Sequence, residues 1–269
     1  MKTQILSLTG AKQEEIELPK VFQTPFREDL IHRAYVNLDS HRYQRQGRHL
    51  TAGMDVVAMS NDPPTGHGQA RVARIRGGGP RRGQAAGVAM VRGGRQAHPP
   101  LSEKVIYKKL NKKERRLALC SAIAATASKD LVASRGHSVN KIESFPIVVS
   151  DDLEKISKAK EIAKVFDALN LTADIERLES RKARSGRSVI RGRKTKTGKS
   201  ILFVTKDPKS LAKACGSFLG VDVRAASDLS VLDLAPGSQP IRLTVYTKAA
   251  LNELANIKSP HLKLMEVIH

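Results

Sequence analysis

The sequence predicts an α/β domain with a mainly parallel, doubly wound sheet, interrupted by a long extended internal arm at about residues 40–100. Three observations carry this. Fully apolar runs of strand length, PIVV at 146–149 and ILFV at 201–204, alternate with amphipathic helical segments, as in parallel sheets covered on both faces. Residues 40–100 are crowded with Gly and Pro and carry no pattern that buries a core. The positive charge is concentrated in two segments, one of them that same stretch.

The elements follow in order. TQILSL and EEIELP read as two short strands around Gly10 and Lys12, and Arg27 to His41 as a helix with Leu30, Ile31, Ala34, Tyr35 and Leu38 on one face. The arm follows. Order resumes at Asn111, placed to cap a helix with Glu114 three residues on, and this Ala-rich helix is expected to run to Gly136. After the 146–150 strand, Asp151 or Asp152 is expected to cap one helix through Leu153, Ile156, Ala159, Ile162, Ala163, Phe166 and Leu169. A basic insertion at 177–199 leads into SILFVT, helix 208–217, strand VDVRAA, strand 241–247 and helix 248–257. The domain division is therefore residues 1–39 with 101–269 as the globular part and 40–100 as the arm. Strand order is not legible from the sequence.

The 269 residues carry 47 Lys and Arg against 26 Asp and Glu, a formal charge of +21. In the arm, Arg42, Arg45, Arg48, Arg71, Arg74, Arg76, Arg81, Arg82, Arg92 and Arg95 face only Asp55 and Asp62, and no lysine occurs between Lys20 and Lys104. The insertion carries Arg177, Arg181, Lys182, Arg184, Arg187, Arg191, Arg193, Lys194, Lys196 and Lys199 against Glu179. A solvated face is served equally by lysine, whereas the guanidinium fork grips phosphate bidentately and stacks on bases. Both segments are therefore candidate RNA contacts. The arm reads either as a disordered Arg-Gly segment or as one that becomes ordered within a large RNA, where glycines let backbone approach phosphate.

Other chemistries find little support. TKTGKS at 195–200 has Arg193 where a phosphate loop needs glycine, and a strand rather than a helix follows it. No GxGxxG follows a strand. The eight histidines form no metal spacing and most are expected at the surface; Cys120 and Cys215 read as core residues. No catalytic group, cofactor or metal is nominated. Aromatic residues are 4% with no Trp, poor for base stacking. No run reaches the roughly 18 apolar residues of a membrane span, and the first twenty residues lack a signal-peptide core, so an intracellular, soluble chain is expected.

Several stretches together resemble one family. GHGQARVARIRGGGPRRGQAAGVAMVRGGRQAHPP at 66–100, NKKERRLALCSAIAATA at 111–127 and SRKARSGRSVIRGRKTKTGKSILFV at 180–204 look like the large-subunit ribosomal protein four family. VFQTPFREDLIHRA at 21–34 and DLAPGSQPIRLTVYTKAAL at 233–251 fit as well, and the colinearity resembles the archaeal form. QAAGVAM at 84–90 departs from many relatives in lacking an aromatic. The resemblance implies a three-layer α/β/α domain on the outer part of the large subunit, with the arm threading rRNA to the wall of the polypeptide exit tunnel. It implies early rRNA binding, contact with several rRNA domains, and large-subunit protein twenty-two and the nascent polypeptide as neighbours. The arm tip, Asn61 to Arg82, then supplies the tunnel residues, with Arg71, Arg74 and Arg76 foremost. About 60 residues folded back on themselves reach at most roughly 100 Å, enough to enter an RNA interior. The reading is a non-enzymatic, cytoplasmic, structural rRNA-binding protein; the alternatives are a Rossmann-like RNA methyltransferase and an RNA chaperone with a disordered basic arm.

Overall fold

Six strands hydrogen-bond into one sheet in a computed structural model that describes residues 1–60, 62–196, 198–238 and 241–263. In chain order the strands are β1 (Lys2–Leu6), β2 (Lys12–Glu17), β3 (Ala58–Met59), β4 (Arg74–Ile75), β5 (Ile147–Val149), β6 (Leu202–Thr205), β7 (Asp222–Ala225) and β8 (Thr244–Thr247). The large sheet runs β2-β1-β5-β8-β6-β7; only β2, at the edge, is antiparallel, and β3 pairs with β4 separately. The two apolar runs occupy interior positions, as two-sided burial requires. The chain crosses from β5 to β6 past the place that β8 later fills, an order set by crossover connections rather than by any local pattern.

The helices are α1 (Glu28–Asp39), α2 (Lys112–Ala125), α3 (Lys129–Ser134), α4 (Ala159–Ala168), α5 (Thr172–Glu179), α6 (Arg187–Ile190), α7 (Lys209–Cys215), α8 (Val231–Leu234) and α9 (Lys248–Leu254). Alternate strand residues feed two cores. Val148, Leu202, Val204 and Tyr246 pack against α1, α2, α8 and α9; Ile147, Val149, Phe203 and Val245 pack against α4, α5 and α7. The period of two along each strand thus builds the three-layer α/β/α domain. Cys120 lies in the first core and Cys215 in the second, both as free thiols.

Three helix expectations are corrected. The helix expected from Asn111 to Gly136 breaks at Thr126, whose hydroxyl donates to the Ile123 carbonyl at 2.6 Å and meets the buried Tyr246 hydroxyl at 3.0 Å. The next amides then tighten to bonds three residues back, and α3 starts afresh from an extended Ser128. Asn111 sits at the N-cap without a side-chain cap bond, and Glu114 pairs with Arg33 at 3.4 Å instead. The helix expected from Asp151 to Leu169 is a 3-10 turn (Asp151–Lys155), an extended Ile156 and then α4. Asp151 is a cap, but of another helix: its Oδ1 accepts from the Ala249 amide of α9 at 2.8 Å. Finally, α5 was not expected. Asn170 at φ 56 and the Leu171 amide bonded to the Phe166 carbonyl at 2.8 Å end α4 sharply, and α5 begins at once, carrying Arg177 of the insertion in its last turn.

Ser40–Lys108 forms a unit of its own, separate from the residues before and after it. It is not wholly irregular. The β3/β4 pair is extended by an isolated bridge between Arg74 and Ala85, and Ala86 is buried.

Candidate nucleic-acid interface

The second basic segment is rooted in a buried polar network at the amino ends of β6, β7 and β8. Asp174, on α5 and fully buried, accepts from the Ser138 amide at 3.1 Å, Ser200 Oγ at 2.5 Å, Arg177 Nε at 2.9 Å and His137 Nδ1 at 3.0 Å. These donors come from the chain before β5 and from both ends of the basic loop. Arg242, just upstream of β8 and 1% exposed, donates Nε to the Ser200 carbonyl at 2.5 Å and Nη2 to the Ile201 and Gly220 carbonyls at 2.8 and 2.6 Å. Its Nη1 lies 2.6 Å from Asp222 Oδ2, which also receives Lys199 Nζ at 2.7 Å.

Charge is balanced there by geometry. Burial pushes the Asp174 carboxyl up, but bonds from His137, Arg177 and Ser200 outweigh it and hold the group well below the usual carboxylate range. Burial lowers the His137 pKa, opposed by Asp174, so its ring is neutral with Nδ1–H directed at the carboxylate. For Asp222, burial is likewise overcome by Lys199 and Arg242, and the carboxylate stays ionised. Two glycines let the returning chain pass close by: a Cβ on Gly198 would lie 2.5 Å from Leu178 Cδ2, and one on Gly220, at φ +72, would clash with Leu178 Cδ1.

From this root the loop projects its cations. Arg184 N bonds to the Lys194 carbonyl at 2.9 Å, closing a loop whose tip is the single turn α6 between Gly186 and Gly192. Arg181, Lys182, Arg187, Arg191, Arg193, Lys194 and Lys196 are exposed and Arg184 is half-buried. Lys199 is exposed but engaged by Asp222. The sequence-predicted cations thus divide into those that point outward and two, Arg177 and Lys199, that serve the root. Thr197 of TKTGKS lies outside the described residues.

In the Ser40–Lys108 unit, a hairpin joins β4 to residues 83–86, with Ile75 N bonded to the Gln84 carbonyl and Gly83 N to the Ile75 carbonyl. Its turn, with Gly77, Gly79 and Gly83 at positive φ, presents Arg76, Arg81 and Arg82 to solvent. Arg71 is exposed and 3.0 Å from Asp62; Arg74 is half-buried with Nη1 on the Gly83 carbonyl at 2.9 Å, a bond that closes the hairpin. Arg42, Arg45, Arg92 and Arg95 are exposed. Arg48 turns back on the carbonyls of His49, Leu50 and Ala52. Asn61, at the start of the expected tip, lies outside the described residues.

His137, Asp174, Arg242 and Asp222 escaped the sequence reading. An arginine inside the strand-like IRLTVYT was the available signal. His137 corrects the expectation of surface histidines only in part: its side chain is 1% exposed.

The opposite, carboxyl ends of the strands are where α/β frames of this kind hold nucleotides. Here Glu154 Oε1 takes the Lys206 amide at 2.8 Å and the Thr247 hydroxyl at 2.7 Å, its Oε2 the Asp207 amide at 3.3 Å, and Asp151 caps α9 beside it. The protein's own carboxylates fill the anion-accepting positions. Among the described residues no His, Cys, Asp and Glu group is arranged to hold a metal, and no helix is long and apolar enough to cross a membrane.

Fold and site together define a class: an α/β frame with little net charge that displays clustered, outward-facing arginines suited to a polyanion. The chain belongs to the ribosomal protein L4/L1 family, whose profile matches residues 16–257. It is 44% identical to the large ribosomal subunit protein uL4 of Haloquadratum walsbyi over 257 residues, covering 95% of this chain and all of that one. It is 41% identical to uL4 of Methanococcus maripaludis, over 94% of this chain and 98% of that one. Against uL4 of Pyrobaculum aerophilum the identity is 44%, over 95% and 90%.

Proposed function

We propose that this chain is a structural constituent of the large ribosomal subunit that binds rRNA early in assembly through its two cationic segments. Family membership supports the structural role, and the observation that carries the rRNA contact is the outward placement of arginines on an otherwise nearly neutral frame. Phosphate neutralisation supplies affinity, and RNA shape supplies specificity. Two separate segments suit contact with several rRNA domains. The Ser40–Lys108 unit forms part of the exit-tunnel wall, with Arg71 and Arg76 toward the nascent polypeptide, Arg74 holding their hairpin, and large-subunit protein twenty-two as neighbour. The protein works in the cytoplasm, in the ribosome, without enzymatic activity.

The test is sedimentation of a native lysate through a sucrose gradient after a high-salt wash, comparing the full chain with one lacking residues 50–98. The full chain is expected to stay with the large subunit and the deletion to be lost as salt rises. Release of the full chain to the top fractions would overturn the reading.

A further inference from the structure

The two ends of the Ser40–Lys108 unit run side by side and are clamped twice. At one end the Lys108 amide donates to Ser40 Oγ at 3.0 Å and His41 Nε2 donates to the Lys108 carbonyl at 3.2 Å. At the other, Arg48 Nη1 donates to Gln96 Oε1 at 3.4 Å. Between the clamps lies a cavity of about 730 Å³, whose lining includes Tyr43, Gln44, Gln46, Gln96, Lys104 and Lys108. That volume falls within the roughly 300–1,000 Å³ of small-ligand pockets. No carboxylate lines it among the described residues.

Its chemistry is specific. The chain has four tyrosines; Tyr35 and Tyr246 serve the core of the sheet, whereas Tyr43 is 57% and Tyr107 42% exposed. Beside the cavity, Tyr107 stacks on His41 with centroids 5.5 Å apart and planes at 22°, and the Arg45 guanidinium lies 5.8 Å from its ring centroid. This stack holds in place the chain on either side of the lining residues Tyr43, Gln44 and Lys108. Glutamine amides offer donors and acceptors together, the set that reads a base edge, and lysines supply charge for phosphate.

Resting on the RNA-binding reading above, we propose that this cavity receives one unpaired nucleotide turned out of an RNA helix. The base lies against the Tyr43 ring, its edge faces Gln44, Gln46 and Gln96, and Lys104 and Lys108 hold the flanking phosphates. The site gives the arm's base a shape-selective contact that its arginines, which bind any phosphate, do not supply.

The test compares a short RNA hairpin carrying one bulged uridine with the same hairpin fully paired, by fluorescence anisotropy with the full chain. The bulged RNA is expected to bind about tenfold tighter, in line with base–aromatic stacking. Tyr43→Ala is expected to remove that preference and Tyr43→Phe to keep it. Equal wild-type affinities would overturn the nucleotide site and leave the RNA-binding reading standing; no binding of either at low salt would overturn both. Should Tyr43→Ala lose paired-RNA binding as well, crosslinking of 4-thiouridine at the bulge to the wild-type chain decides. Capture on peptides containing Tyr43 or residues 96–108 supports the site, and capture elsewhere alone overturns it.

Discussion

Replacing Asp174 by alanine removes the acceptor on which His137, Ser138, Arg177 and Ser200 converge. Removing one partner of a buried ion pair costs about 3–5 kcal/mol. The Arg177 side chain is 29% exposed and its guanidinium can turn toward water, which places the cost near the lower bound, about 3 kcal/mol. His137 and Ser200 remain buried without their acceptor, so relaxation does not erase it. For a chain of this size each kcal/mol moves Tm by roughly 2–4 °C, so a fall of roughly 6–12 °C is expected by circular dichroism. Asp174→Asn keeps one acceptor oxygen and should fall less. The loop should report the loss locally, as faster hydrogen exchange at the Arg184 amide, which bonds to Lys194. A Tm within about 2 °C of wild type, or unchanged exchange at Arg184, would refute the idea that this network roots the basic loop.

Three other outcomes follow from the same geometry. Burial depresses the His137 pKa in the folded state, so the unfolded chain takes the proton first as pH falls. Stability is full above the unfolded value near 6.5 and declines below it; the Tm drop between neutral and mildly acid pH should be smaller in His137→Asn, and an equal drop would reject the assignment. Gly220→Ala places a methyl group against Leu178 at φ +72 and should lower Tm by several degrees, whereas Gly136→Ala, at positive φ but in open space, should cost less. Replacing Arg71, Arg74 and Arg76 together by alanine should leave the far-ultraviolet spectrum of the α/β domain unchanged while weakening incorporation into the large subunit, read by sedimentation; an unfolded core would contradict the separation of frame and contacts.

The strands were legible because apolar runs such as ILFV and IVV have one structural outcome, burial on both faces of a sheet. The helix breaks were not. Thr126 stops its helix through a bond to Tyr246, and Asn170 turns the chain so that the Leu171 amide reaches the Phe166 carbonyl; both bonds exist only after folding or local chain reversal, so periodicity alone carries the helix onward. The cations of the interface were readable as charge density, but their division was not: nothing local separates Lys199, held by Asp222, from Lys196, or Arg74, closing a hairpin, from Arg76. The buried network draws on residues from His137 to Arg242, and its members gain meaning only when the sheet brings them together. The low aromatic content likewise argued against base stacking, whereas the fold places Tyr43 on the lining of a cavity and stacks Tyr107 on His41.

The two ends of the sheet separate what such a frame is able to do. At the carboxyl ends the segments after the strands hold amides able to donate to a phosphate, and here Glu154 and Asp151 already accept those bonds from within the chain. A carboxylate there both satisfies the donors and repels an incoming anion, so these amides are already engaged where a nucleotide phosphate would need them. At the amino ends the opposite holds: Arg242 and Asp174 are spent on carbonyls and hydroxyls of the chain itself, which frees the loop beyond them to be almost purely cationic without destabilising its root. The loop's cations repel one another, and the bonds of Arg177 and Ser200 to Asp174 hold its two ends together against that repulsion. Buried, internally paired groups thus hold the loop at its base while its outer cations are left to the solvent, an arrangement that fits the polyanion contact proposed above.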